Sequence, residues 1–117
     1  MKYMLLMYAD ESKGPQTAAE QQDVAPPVWY ALMEEMKAAG VLLSNNGLSP
    51  VANATTVRIR EGKTLITDGP FAETHEQLGG FFLLDCKDLD EALRWAERIP
   101  HAKYGSVEVR PLWSEVS

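Results

Sequence analysis

Between Asp68 and Gly80 the chain reads Asp-Gly-Pro-Phe-Ala-Glu-Thr-His-Glu-Gln-Leu-Gly-Gly, a loop carrying more ionisable groups than a change of direction needs. A carboxylate, Asp68, and an imidazole, His75, on one loop are the elements of acid–base catalysis, because His titrates near neutral pH and either group can take a proton from a substrate held beside it. Asp68 has two readings. As a turn residue it accepts a hydrogen bond from the backbone of Phe71 and closes an Asx turn ahead of a short helical segment starting near Pro70. As a carboxylate at a pocket mouth it serves as general base or orients a ligand. Gly69, Pro70 and Phe71 extend the ligand-contact set along the loop, with Phe71 either a hydrophobic plug or a stacking platform. Gly79 and Gly80 let the chain enter the next strand, or let a ligand approach the backbone. Glu73, His75 and Glu76 fall within one turn of the expected helical segment.

Other candidates lie outside the loop. Tyr8 and Asp10 end the first strand-like run and are expected at a pocket rim as ligand contacts. Arg58 can bind a small carboxylate with two parallel hydrogen bonds, and Arg58, Arg60 and Arg110 can equally form ion pairs between subunits. His101 follows Pro100 at a helix end, where a partly positive imidazole complements the dipole, a structural role. Cys86 closes an apolar run and reads as a small buried thiol. One cysteine and two histidines at these spacings assemble no zinc framework, and no metal or cofactor is expected.

The elements that must position these groups follow from periodicity. Lys2 to Tyr8 is a strand with apolar residues on both faces. Residues 10 to 23 are polar and read as a long loop. A helix runs from Pro26 to about Ala39, with Val28, Leu32 and Met36 on one stripe widened by Trp29 and Met33, and Gly40 as its stop. Val41 to Ser44 is extended, followed by a turn-rich span with Asn45-Asn46-Gly47. Thr55 to Arg60 and Lys63 to Thr67 form a hairpin across Glu61-Gly62. Phe81 to Cys86 is a strand. Asp88 caps a second helix with Glu91 three residues on, and Leu89, Ala92, Leu93, Ala96 and Ile99 line its inner side up to Pro100. Ser106 to Trp113 is the last strand. Trp29, Trp95 and Trp113 read as core or interface residues, Trp113 the foremost for an interface.

The order β-α-β, hairpin, β-α-β predicts an α+β fold of the ferredoxin-like split β-α-β type with an inserted β-hairpin, one domain over residues 1–117. Two helices cover one face of such a sheet, yet the strands at Lys2 and Phe81 are apolar on both. The expected lid is a second copy, giving a homodimer that closes a dimeric α+β barrel around a pocket. With 17 acidic against 11 basic residues, a net charge of −6, no nucleic-acid partner is expected. The apolar run Tyr3 to Tyr8 is too short for a signal or a span, so no membrane is expected and the cytoplasm is the default location.

The segments 68–74, 76–81 and 106–111 (Asp-Gly-Pro-Phe-Ala-Glu-Thr, Glu-Gln-Leu-Gly-Gly-Phe and Ser-Val-Glu-Val-Arg-Pro), with Lys2–Leu6, Ala54–Arg58 and Leu89–Ala92, resemble the YCII-related family in its DGPF-domain branch. The resemblance implies a dimeric α+β barrel. Its YCII branch implies enzymatic activity through a His–Asp pair whose histidine lies near the start of the first helix. The segment from Glu11 to Trp29 has no histidine, so that pair does not carry over. Position 75 is His where the branch usually has Lys, replacing a fixed charge by a titrating one. The expectation is a small-molecule enzyme using Asp68 and His75. The alternative is a ligand- or partner-binding regulatory module, linked through the resemblance to an extracytoplasmic-function sigma factor. A scaffold without chemistry is a third reading.

Overall fold

The computed structural model of the chain describes residues 1–15, 17–70 and 75–115. In order come β1 (Lys2–Ala9), α1 (Ala18–Asp23), α2 (Pro26–Ala38), β2 (Leu42–Gly47), β3 (Thr55–Arg60), β4 (Lys63–Asp68), β5 (Gln77–Asp85), α3 (Leu89–Glu97), α4 (His101–Tyr104) and β6 (Ser106–Pro111). The main sheet runs β2-β5-β1-β6, with β1 antiparallel to both neighbours and β5 antiparallel to β2, while β3 and β4 form a two-stranded sheet of their own. That is the split β-α-β order, with the hairpin inserted between its halves.

Strand alternation decides which side is covered. Tyr3, Leu5 and Met7 of β1 and Phe82 and Leu84 of β5 are buried with Leu32 and Met36 of α2 and Ala92, Ala96 and Ile99 around α3. The intervening residues Met4, Leu6, Phe81 and Leu83 are only half-buried on the opposite face, and they meet one another across the ladder: Met4 opposes Leu83, and Leu6 opposes Phe81.

Several boundaries differ from the sequence expectation. The polar 10–23 stretch contains α1, because the Thr17 hydroxyl accepts from the Glu20 amide (3.1 Å) and supplies a cap that composition alone hides. β2 continues through Asn45-Asn46-Gly47, since this edge of the sheet still pairs with Phe82, Phe81 and Gly80 of β5. β5 begins at Gln77, so Gly79 and Gly80 lie inside the strand. A Cβ on Gly80 would come within 2.7 Å of the Asn46 carbonyl oxygen and 2.8 Å of Met7 Cε, so the bare backbone lets β1, β2 and β5 close up here. On the helices, Val28, Leu89 and Leu93 stay exposed rather than core-facing: Leu32 and Met36 carry the buried stripe of α2, and the small Ala92 and Ala96 that of α3. The Asp88 carboxylate accepts from the Glu91 amide (2.9 Å) as expected, while Glu91 reaches back to the Lys87 amide (2.8 Å). The β3–β4 turn has φ of 52° at Glu61 and 75° at Gly62, the positive pair a two-residue hairpin loop requires.

Candidate functional site

Trp29 is the organising side chain of the pocket. Its indole N–H donates to the Val24 carbonyl (3.0 Å), which fixes the ring where α2 begins. One side of the ring stacks near Phe82 of β5, with centroids 6.2 Å apart and planes 13° off parallel. The His101 imidazole meets it edge-on at 5.6 Å and 62°. His101 is delivered by α4, a single turn opened by Pro100 after α3 has ended. The turn is pinned at its far end, where Gly105 lies so close to β1 that a Cβ would run into the Tyr8 carbonyl oxygen.

Three cavities meet at this imidazole. The first, about 230 Å³, lies between α2 and the β2 end of the sheet, with Met7, Trp29, Met33, Asn45, Gly79 and Phe82 in its wall. Its lining contains no carboxylate, lysine or arginine. The second, about 350 Å³, shares Trp29 and His101 and adds the ionisable Asp10, Glu11, Lys13 and Tyr104 to a wall that also holds Ala9, Pro15 and Val24. The third, about 450 Å³, reaches His101 past Gly79, Gln77 and Glu11. A chamber without charged side chains thus lies beside a vestibule that carries them, with the imidazole in both walls.

Burial pushes the His101 pKa below the ordinary histidine value. The geometry agrees: Nδ1 is buried with no hydrogen-bond partner, so no acceptor offsets the desolvation of an imidazolium and the neutral ring is favoured. Nε2 is the nitrogen nearest Gly79, 3.7 Å from where a Cβ on that glycine would sit. In the vestibule, the Ser12 hydroxyl (2.6 Å) and amide (2.9 Å) both donate to Asp10 Oδ1, and these bonds hold its carboxyl below the usual range, with smaller help from Lys13 and His75. The Glu11 carboxylate receives the Val51 amide (3.2 Å) and ties the vestibule to the base of the hairpin. Tyr104 donates to Asp23 Oδ2 (3.0 Å); desolvation first, and then this bond, raise its pKa. Cys86 is buried, and desolvation pushes its thiol up to about 11, an inert setting. Among the described residues no group of three or more His, Cys, Asp or Glu is placed to hold a metal ion.

Of the residues that the sequence offered as ligand contacts, Asp10 and Gly79 line cavities shared with His101. His75 is exposed, immediately ahead of β5 and in no helical turn, within electrostatic reach of Asp10. Beside it the Glu76 carboxylate accepts from the Ser106 hydroxyl (3.0 Å). Asp68 ends β4 opposite Thr55 and is exposed; Gly69 follows, its amide donating to the Ala54 carbonyl (2.6 Å), and then Pro70. Arg58 faces Leu65 across the hairpin, and Tyr8 sits between Leu78 and Ser106. None of Tyr8, Arg58, Asp68, Gly69 or Pro70 lines the three cavities around His101. Phe71 and Glu73, and with them the expected Asx turn and helical segment, lie outside the described residues. The histidine read as a dipole-complementing helix end is the one in the pocket, and burial makes it neutral rather than partly positive. The signal that could have found it was the short span between α3 and β6: a histidine there must sit over the strand ends that β6 rejoins.

The YCII-related domain family matches residues 1–115. An uncharacterised protein of Rhizobium meliloti (strain 1021) is 42% identical over 114 residues, covering 96% of this chain and 92% of its own length. Among solved structures, the chain is similar to 5-chloro-2-hydroxyhydroquinone dehydrochlorinase from Burkholderia phenoliruptrix AC1100 in complex with 2,5-dihydroxybenzoquinone, with a TM-score of 0.47 and 14% identity over 96% of this chain and 93% of that one.

Proposed function

The chain belongs to the YCII-related family, and from that premise we propose that it is a small-molecule enzyme whose acid–base group is His101. The observation that carries this reading is a neutral imidazole in the walls of both a chamber without charged side chains and a vestibule that carries them. In the tautomer that carries its proton on Nδ1, the neutral ring accepts a proton from a bound molecule at Nε2 and hands it back to another atom of that molecule, with no change in oxidation state. Trp29 and Phe82 hold the apolar part of the ligand, and Asp10, kept ionised by Ser12, faces its polar part. The catalytic role thereby moves from the Asp68 and His75 loop to α4.

The reading extends to the assembly: two copies pair through the half-buried Met4, Leu6, Phe81 and Leu83 to close a dimeric α+β barrel. Support comes from the single-sided helix layer, which leaves these side chains on the uncovered face.

The test is a thermal-shift and ligand-observed NMR screen of a neutral and carboxylated metabolite library against three proteins. Wild type is expected to give hits. Gly79→Val, whose branched side chain suits a strand but fills the chamber, is expected to lose them. His101→Gln is expected to keep binding and lose turnover of any hit that is converted. Hits that survive Gly79→Val unchanged, or turnover that survives His101→Gln, would overturn the proposal.

A further inference from the structure

Asn45 is a polar side chain on the face of the sheet that the helices cover. In the β2–β5 register it stands opposite Phe82, a core residue, and residues directly opposite one another share a face. Asn45 is accordingly half-buried, against Met33 of α2, and lines the 230 Å³ chamber together with Trp29, Phe82 and His101. Its amide is half used. Nδ2 donates to Met33 Sδ (3.1 Å), a weak acceptor that turns the group one way. Oδ1 has no hydrogen-bond partner among the described residues. A leucine here would meet the same neighbours without desolvating a polar group, so the amide is unfavourable until something donates to Oδ1. Its place in the wall is also fixed by its backbone. The Asn46 carbonyl oxygen lies 2.7 Å from where a Cβ on Gly80 would sit, which draws this end of β2 tightly onto β5.

We propose that Asn45 selects the ligand of this chamber: an uncharged, ring-sized molecule whose hydroxyl or N–H donates to Asn45 Oδ1. The inference rests on the His101 chamber proposed above and names what that chamber takes. Charge is decided by the wall, which holds no carboxylate, lysine or arginine. An ionised ligand would lose its hydration there and gain no counter-ion, so the hits of the screen above come from its neutral half. Size is decided by the volume, 230 Å³, against about 150 Å³ for an apolar cavity that takes up benzene. The donor is decided by Oδ1. A ligand without one, such as an ether, leaves that oxygen desolvated and unpaired, and a site built around a hydrogen bond rejects the analogue that lacks it. His101 Nε2 is a second acceptor in the tautomer protonated at Nδ1, so the chamber asks its ligand for donors. Asn45 holds one of them and thereby orients the molecule while Nε2 takes the proton that moves.

The experiment titrates isotope-labelled protein by NMR at about pH 7.5, above the histidine range, with four probes that share one ring: benzyl alcohol, benzyl methyl ether, benzoate and benzylammonium. Wild type is expected to bind the alcohol about three- to tenfold more tightly than the ether, the range of one net hydrogen bond, with neither ion entering the chamber. Asn45→Leu removes the amide, and Asn45→Val does so with a side chain that suits a strand. Both are expected to bind the ether as tightly as the alcohol and still to refuse the ions. The comparison is made between two probes on one protein, so any loss of stability cancels from the ratio. An alcohol preference that survives in the variants overturns the role of Asn45 and leaves the His101 chamber standing. Equal wild-type affinities for alcohol and ether do the same, whichever variants fold. Benzoate or benzylammonium bound as tightly as the alcohol, with shifts at Met33 and Asn45, overturns the uncharged class. Probes that leave the signals of Trp29, Asn45 and His101 unmoved in wild type overturn the selection and the chamber together.

Discussion

His101 and His75 carry the same ring into opposite surroundings. His75 is exposed ahead of β5, while His101 is wedged against Trp29 with Nδ1 sealed off. Because burial lowers the folded-state pKa of His101 below its ordinary 6.5, the unfolded chain binds more protons in the window between the two values. Stability therefore rises with pH across that window and is lost as pH falls from about 6.5. Urea titrations between about pH 5 and about pH 8 are expected to show this slope in wild type and to flatten it in His101→Gln. In an NMR titration His101 is expected to titrate below the ordinary histidine value of 6.5. A His101 titration at or above that value, or an unchanged slope in the variant, would remove the buried neutral imidazole. The sequence showed why a histidine is a candidate, but pointed to the loop one because residue type and a nearby carboxylate are visible in one dimension. Burial is not: it depends on Trp29, distant in sequence, turning its edge toward α4.

Elements were legible where the signal was local. The Glu61-Gly62 turn and the Asp88 cap are set by two to four neighbouring residues, and both stand where the sequence placed them. Asp88→Ala is accordingly expected to cost about 1 kcal/mol in denaturant unfolding, while Asp88→Asn, which keeps an acceptor, costs much less. What the sequence hid were features settled by a partner strand. Asn45-Asn46-Gly47 has turn composition but pairs along β5, and Gly79-Gly80 looks like a strand entry but is the tight crossing of three strands. Gly80→Ala would force a methyl group against the Asn46 carbonyl and Met7, so it is expected to destabilise by about 1–3 kcal/mol. Gly79→Ala meets its neighbours at 3.7 Å or more and is expected to be mild. Comparable melting temperatures for the two alanine variants would contradict the packing at this crossing. The contrast also guards the pocket experiment, since it separates filling the chamber at position 79 from breaking the sheet at position 80.

At the scale of the whole molecule, one sheet has one covered face, and the chain's apolar residues exceed what that face can hide. Leu6 is the centre of the uncovered side, opposite Phe81 on β5 and Glu108 on β6. Trp113, just beyond β6, is 91% exposed, an unusual position for the largest apolar side chain in a chain left alone. If two sheets meet face to face, a charge at position 6 is buried against its own symmetry copy, and two like charges in a low-dielectric layer repel strongly. Leu6→Lys is therefore expected to give a folded monomer: helical circular dichroism retained, mass halved, and Trp113 emission moving no further to the red on dilution because the ring is already solvated. Wild type, diluted through its dissociation constant, is expected to show that red shift. The choice of residue makes the outcome specific, because Leu5, the next residue along, points into the helix-covered core and its replacement by Lys would unfold the chain rather than divide the pair. A Leu6→Lys protein that keeps wild-type mass would mean that the uncovered face is not where the copies meet.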